Sequence, residues 1–261
     1  MSIHLSRDGS GWRRAKIWGC LNGWCTGQVL AMRRFMARAL PVLVLGFLAA
    51  ESAAQAESPI TKAQATAFAQ QVNLVASDIP GAEVGTPGPE RTKPSKAAVR
   101  FARCAGAVDP SLLIAEIRSP PLGVGKGRNL IELQSGVEVL PTAALAKRNF
   151  DATRSARGRS CMRRLLGRAN NIKPKHGRLV RVSVSFLPTL LAGGGKSFGA
   201  RIAITLINGA RRLTIYMDAF SILAGPAEVD LNVVGAFHPP STVTERRLLS
   251  VLYSRALAHK L

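Results

Sequence analysis

Aromatic residues are scarce, at 5% of a 261-residue chain, with three tryptophans and two tyrosines. Acids are short as well: 15 Asp and Glu face 36 Lys and Arg, a net charge of +21. The first deficit bears on the second, because nucleic-acid surfaces interleave cations with stacking aromatics or carry a groove-reading motif. Neither pattern is present, so the positive charge points to anionic partners other than nucleic acid. No serine stands in a G-x-S-x-G elbow, which removes that class of hydrolase. The stretch "AGGGKSFG" ends like a phosphate-binding loop, but Leu190 stands six residues before Lys196, where that loop requires glycine. "GVGKGRN" fails in the same way. No cofactor is expected.

Long apolar runs are also missing. The longest, Ala39 to Ala50, is short of the roughly 20 residues that span a bilayer. Arginines precede it and Ala54-Gln55-Ala56 closes it, the order of a secretory signal. The expectation is a signal over residues 32–56, cleaved after Ala56, leaving no stable membrane span. Residues 1–31, which hold all the tryptophans and Cys20 and Cys25, then form a mis-assigned or disordered extension. The remainder, Glu57–Leu261, keeps a net charge of about +16. It divides into an N-terminal helix with a Pro/Gly-rich loop (57–95) and one domain (96–261) on which that helix packs. The expected location is outside the cell or at its envelope.

Periodicity gives the elements. Thr61 and Gln64 have capping-box spacing, and Ala65, Phe68, Ala69, Val72 and Val75 make one helical stripe. "KAAVRFARCAG" is a helix with Ala97, Phe101 and Cys104 along one side and Gly106 as its stop. "LLIAEI" reads as a buried strand. In "LIELQSGVEVLP", Ile131, Leu133, Val137 and Val139 alternate with polar neighbours, which predicts a strand with one wet face. "TAALAKRNFDATRS" and "RSCMRRLLGR" are helical, punctuated by Gly158 and Gly167. Four strands follow: "LVRVSVSFLP", "ARIAITLI", "RRLTIYMDAF" and "EVDLNVVGAF". Asn208-Gly209 marks a hairpin between the second and third of these. The last segment is an amphipathic helix with a Thr242/Glu245 capping box and Leu248, Leu249, Leu252 and Ala256 on one face. The sum is an α+β domain: a mainly antiparallel meander flanked by helices.

Chemistry-bearing residues are few. Beyond Glu57 the histidines are His176, His238 and His259, each isolated. A zinc site needs three or four ligands, and Cys104 and Cys161 have no others near them. Arginines beside them would lower a thiol pKa, but no histidine stands by as a base. In an exported chain two remaining cysteines most simply form one disulfide. Tyr216-x-Asp218 places two polar side chains on one strand face, a possible ligand contact. No residue is assigned a catalytic or metal-binding role.

The order of "DIPG", "FARCAG", "SGVEVLPTAALAKRNF", "SARGRSC", "VSVSFLP" and a hairpin ending in "YMD" resembles secreted proteins of actinobacteria and related high-GC bacteria. Those are similar to the extracellular sensor domains of mycobacterial receptor kinases and to small envelope lipoproteins of the PsbP-like fold. The resemblance runs from Asp78 to the C-terminus. It implies an exported antiparallel sheet with helices and a disulfide matching Cys104 and Cys161. It also suggests ligand binding in a groove. This chain departs in having no kinase portion and no lipid-attachment cysteine. The expected function is a non-catalytic, exported, sensor-like binding module for an anionic cell-envelope component or a small apolar ligand. The alternatives are an enzyme with a dispersed polar site and a basic structural protein of the envelope.

Overall fold

The computed structural model describes residues 59–88, 93–167, 178–188, 190–191, 196–208, 211–259 and 261. The signal and the extension before it lie outside the described residues, as do His176 and Gly209.

The chain opens with α1 (Lys62–Val72), started by the Thr61/Gln64 capping box. Ala65, Phe68, Ala69 and Val72 are buried as the stripe requires, but Val75 is beyond the helix end and 47% exposed. The Pro/Gly-rich stretch contains a short strand the composition hides, β1 (Glu83–Val84). Then comes α2 (Lys96–Ala105), closed by Gly106 at φ 75°, a left-handed geometry that suits glycine. Its buried residues are Ala102 and Ala105 rather than the Ala97/Phe101 line.

Three strands follow: β2 (Ala115–Arg118), β3 (Leu122–Val124) and β4 (Ile131–Val139). Two helices, α3 (Ala143–Arg154) and α4 (Ala156–Gly167), lead into the meander β5 (Arg178–Leu187), β6 (Ser197–Asn208), β7 (Arg211–Ala224) and β8 (Ala227–Ala236). Helix α5 (Thr242–Ala258) ends the fold. The sheet runs β1-β3-β4-β8-β7-β6-β5, with β2 also on β4, and every described pair is antiparallel. This is the expected α+β architecture.

One face of the sheet carries α1 and α5. Phe68, Val72, Leu248, Leu249 and Leu252 pack there against Val137, Val139, Ile222, Val229 and Leu231 in one apolar cluster. A polar node fixes α1 on the domain. The Leu74 backbone N–H donates to Ser135 Oγ at 2.8 Å, and Ser135 Oγ donates to Asn73 Oδ1 at 2.7 Å. Arg255 of α5 donates to the Asn73 carbonyl and to both oxygens of Asp78. Burial alone would raise the Asp78 carboxyl, but these Arg255 hydrogen bonds hold it below its ordinary range.

The other face carries α3 and α4, so β4 has no wet side. Gln134 and Gly136 of its polar set are buried: Gln134 Nε2 donates to the Ser119 carbonyl at 2.9 Å, and the Arg118 side chain of β2 lies close to Gly136. A second correction concerns Gly158. It is buried inside α4, not a stop; Ser155 ends α3 instead. A Cβ at Gly158 would sit 2.2 Å from the Ala152 carbonyl oxygen and 2.4 Å from that of Thr153, so α4 begins hard against the end of α3. The Cys104–Cys161 disulfide joins α2 to α4 across 57 residues, with Cα atoms 6.0 Å apart. In the chain-entropy model a loop of that length is worth about 4 kcal/mol.

Gly158→Ala tests the close approach. Alanine is the better helix former, yet here it should destabilise the protein by about 1–3 kcal/mol, as overpacking does. Denaturant melts would read this, and a neutral or stabilised variant would show that the helices have room to part.

Candidate functional site

Helix α4 sets up the site through its rotational phase. Residues two apart point about 200° from each other around a helix. With Cys161 tied to α2, Arg159 and Arg163 are turned the other way, toward the β5 edge of the sheet. There the Arg163 guanidinium lies 4.8 Å, and that of Arg159 5.6 Å, from the centre of the Phe186 ring. Phe186 in turn lies 5.7 Å, centre to centre, from Phe198 of β6. Arg157 faces back, its Nε donating to the Cys104 carbonyl at 2.6 Å and satisfying an orphan acceptor at the α2 end.

Between α3, the start of α4 and this strand edge is a cleft of about 530 Å³. Its apolar wall is Phe186, Leu187, Pro188 and Phe198, and its rim is Asp151, Arg154 and Arg159 with Ser155 and Ser197. Asp151 accepts from Lys147 at 2.5 Å and from Arg154 at 3.0 Å, and the Lys147 hydrogen bond leads in holding its carboxyl low. Arg159 and Arg163 have no ion pair or hydrogen bond among the described residues. Like charges four apart on a helix repel, so this pair costs stability where it stands. The Ser197 hydroxyl is buried without a partner among the described residues.

A second polar group lies on the same sheet face. Register places Glu116, Glu138 and Glu228 side by side on β2, β4 and β8, with Asp230 and Ser221 in the next row. Directly opposed like charges destabilise a sheet, and the carboxyls respond by holding protons. Burial, reinforced by the Asp230 charge, pushes Glu228 up to about 8. Burial, and then the Asp230, Glu228 and Glu116 carboxylates, raise Glu138 well above its ordinary value. Burial also raises Asp230. Neutral partners complete the row. Ser221 Oγ donates to Asp230 at 2.6 Å, and Asn149 Nδ2 of α3 donates to Glu228 at 2.7 Å. Phe198 is the register partner of Ser221, so the row begins one strand in from the cleft. Among the described residues, no three His, Cys, Asp or Glu side chains are placed to hold a metal ion.

Tyr216 and Asp218 share a strand face as expected, but it is the α5 face, and neither lines the cleft. Asp218 is fully enclosed and takes both its oxygens to Arg201, in the paired geometry of a bidentate bridge. Tyr216 is half-buried beside it. Sequence reasoning missed the third member, Glu245. The expected Thr242/Glu245 capping box is absent, since Ser241 is the N-cap. Glu245 turns inward and is fully enclosed, and neither carboxyl oxygen has a hydrogen-bond partner among the described residues. Burial first, and then the Asp218 carboxylate, push it up to about 8.

No protein-family profile and no curated protein sequence matches the chain. Among solved structures, the extracellular domain of PknH from Mycobacterium tuberculosis is similar to it at 12% identity and a TM-score of 0.42, over 76% of this chain and 97% of that one. A likeness that loose does not extend to a ligand or a role. No described helix is long and apolar enough to cross a membrane.

The enclosed Glu245 gives a signed pH dependence. Its folded pKa, about 8, lies above the ordinary 4.5, so its stabilising contribution is full below about 4.5 and is lost as pH rises through 8. Glu245→Gln removes that loss while keeping the shape. The variant should gain on the wild type from about pH 5 to pH 8 and hold that gain above it in denaturant melts; parallel curves would mean Glu245 ionises freely.

Proposed function

We propose that the protein is a non-catalytic binding module, exported and sensor-like, that holds an anionic ligand of the cell envelope in the cleft between α3, α4 and the β5 edge. One observation carries this reading: Arg159 and Arg163, without carboxylate partners among the described residues, are held over Phe186, a ring that lines an apolar-walled cleft. A volume of about 530 Å³ falls in the range of small-molecule sites. The pairing of ring and cation suits a ligand with one anionic end and one apolar end. Nucleic acid fits less well, because the aromatic surface is a single pair of phenylalanines instead of a stacking track.

The row of carboxyls on β2, β4 and β8 supports a second reading, an enzyme using Glu228 as a proton donor. A buried carboxyl near pH 8 beside an ionisable neighbour is the usual source of acid–base chemistry. The row has the groups for it, but the arginine cleft has the open volume, and we rank binding first.

Anilinonaphthalene sulfonate, an anionic aromatic probe, tests the first reading. One equivalent should bind with enhanced fluorescence. Phe186→Ala, or the pair Arg159→Ala and Arg163→Ala, should weaken it at least about tenfold, a loss of ~1.4 kcal/mol. Reducing the disulfide should weaken it too, while the circular dichroism of the sheet persists. Binding indifferent to these changes would place the probe elsewhere and end the proposal for this cleft. A ligand recovered chemically altered after long incubation, and unaltered with Glu228→Gln, would instead establish the enzymatic reading.

A further inference from the structure

The charge balance of the cleft narrows the ligand. Among the described residues the charged side chains that line it are Arg154, Arg159 and Asp151, with Lys147 beyond them on Asp151 and Arg163 on the Phe186 ring. Asp151 is engaged by Lys147 and Arg154, which leaves the two α4 guanidinium groups to the ligand. A carboxylate spreads one charge over two oxygens and is satisfied by one bidentate arginine. Two arginines a turn apart can instead grip an anion with three terminal oxygens and a charge approaching −2. That description is a phosphate monoester, whose second ionisation lies at about pH 6.

Both guanidinium groups are held against one ring. Each lies over the Phe186 ring, a contact that steadies a long side chain without using its N–H donors. Neither guanidinium makes a hydrogen bond among the described residues, so its donors are not committed to an acceptor there. The apolar part of the lining, Phe198, Leu187 and Pro188, offers contact area but no charge, so the alcohol portion of the ester would rest there.

We infer that the cleft recognises a small soluble phosphate monoester, with Arg159 and Arg163 on the phosphate and the Phe186–Phe198 pair against the organic part. This rests on the cleft being the binding site. Two features separate it from general anion binding. Phosphate monoesters should outcompete carboxylates of the same size. Affinity should also rise between about pH 5 and 7, as the ester gains its second charge, because the arginines keep theirs throughout and Asp151 is already ionised.

The experiment is displacement of bound anilinonaphthalene sulfonate from the full chain by inorganic phosphate, glycerol phosphate and glycerate. The expected result is displacement by glycerol phosphate at a concentration at least about tenfold below glycerate, strengthening toward pH 7. Arg163→Ala should remove that preference, and Arg163→Lys should restore it only in part, because lysine lacks the planar fork. Equal displacement by glycerate would overturn the phosphate assignment and leave the anionic cleft standing. Failure of all three anions against a bound probe would overturn both. Sedimentation with phosphatidic-acid vesicles, without displacement by glycerol phosphate, would move the chemistry to a lipid headgroup and overturn the soluble ligand.

Discussion

Helix α4 has four arginines and no acid along its 12 residues, and it would not hold a fixed position on its own charge. The Cys104–Cys161 bond fastens it to α2, and Gly158 lets its first turn press against the end of α3. Those two constraints leave α4 no freedom to rotate. Everything proposed for the cleft follows, because the same phase that points Cys161 inward points Arg159 and Arg163 at Phe186. The aromatic ring then does what a carboxylate would do elsewhere: it holds a cation in place. Unlike a carboxylate, it leaves the cation's charge unspent.

The few acids are distributed in the opposite manner. The arginines of the cleft rim are exposed, while Glu228, Asp218 and Glu245 are buried. On the α5 face, one arginine, Arg201, serves two enclosed carboxyls, Asp218 and Glu245. On the α3 face, Glu116, Glu138 and Glu228 lie shoulder to shoulder in register. In each place the one arginine is bridged to a single carboxyl, Arg201 to Asp218 and Arg118 to Glu116, and protonation neutralises the others. The surface is thus more uniformly positive than composition alone implies, and an approaching anion meets little competition from the protein's own carboxylates.

The parts of the fold set by local periodicity were legible. The β5 segment alternates with a period of two and β6–β8 read as strands after it, and the α1 stripe and its capping box read directly from spacing. The cysteine pairing followed from counting, since two thiols without further ligands leave few options. What failed depended on partners distant in sequence. β4 was expected to have a wet face because Glu132, Gln134 and Glu138 are polar, but Gln134 is buried on the Ser119 carbonyl and Glu138 stands between Glu116 and Glu228 of the neighbouring strands. Glu245 matched a capping box by spacing, yet it is enclosed beside Asp218 and Arg201, which lie more than 25 and more than 40 residues earlier. Gly158 looked like a stop because a close helix–helix contact and a helix end both call for glycine. The cleft was expected only as a groove between helix and sheet. Its residues come from α3, α4, β5 and β6, and no spacing in the sequence joins Arg163 to Phe186.

The most direct test is nuclear magnetic resonance of the arginine side chains during titration with inorganic phosphate. The account predicts that the Nε–H signals of Arg159 and Arg163 shift together and saturate with the Phe186 ring protons, while those of Arg201 and Arg255, committed to Asp218 and Asp78, stay in place. Shifts spread evenly over the exposed arginines would mean that the positive surface, and not a built cleft, is what anions meet.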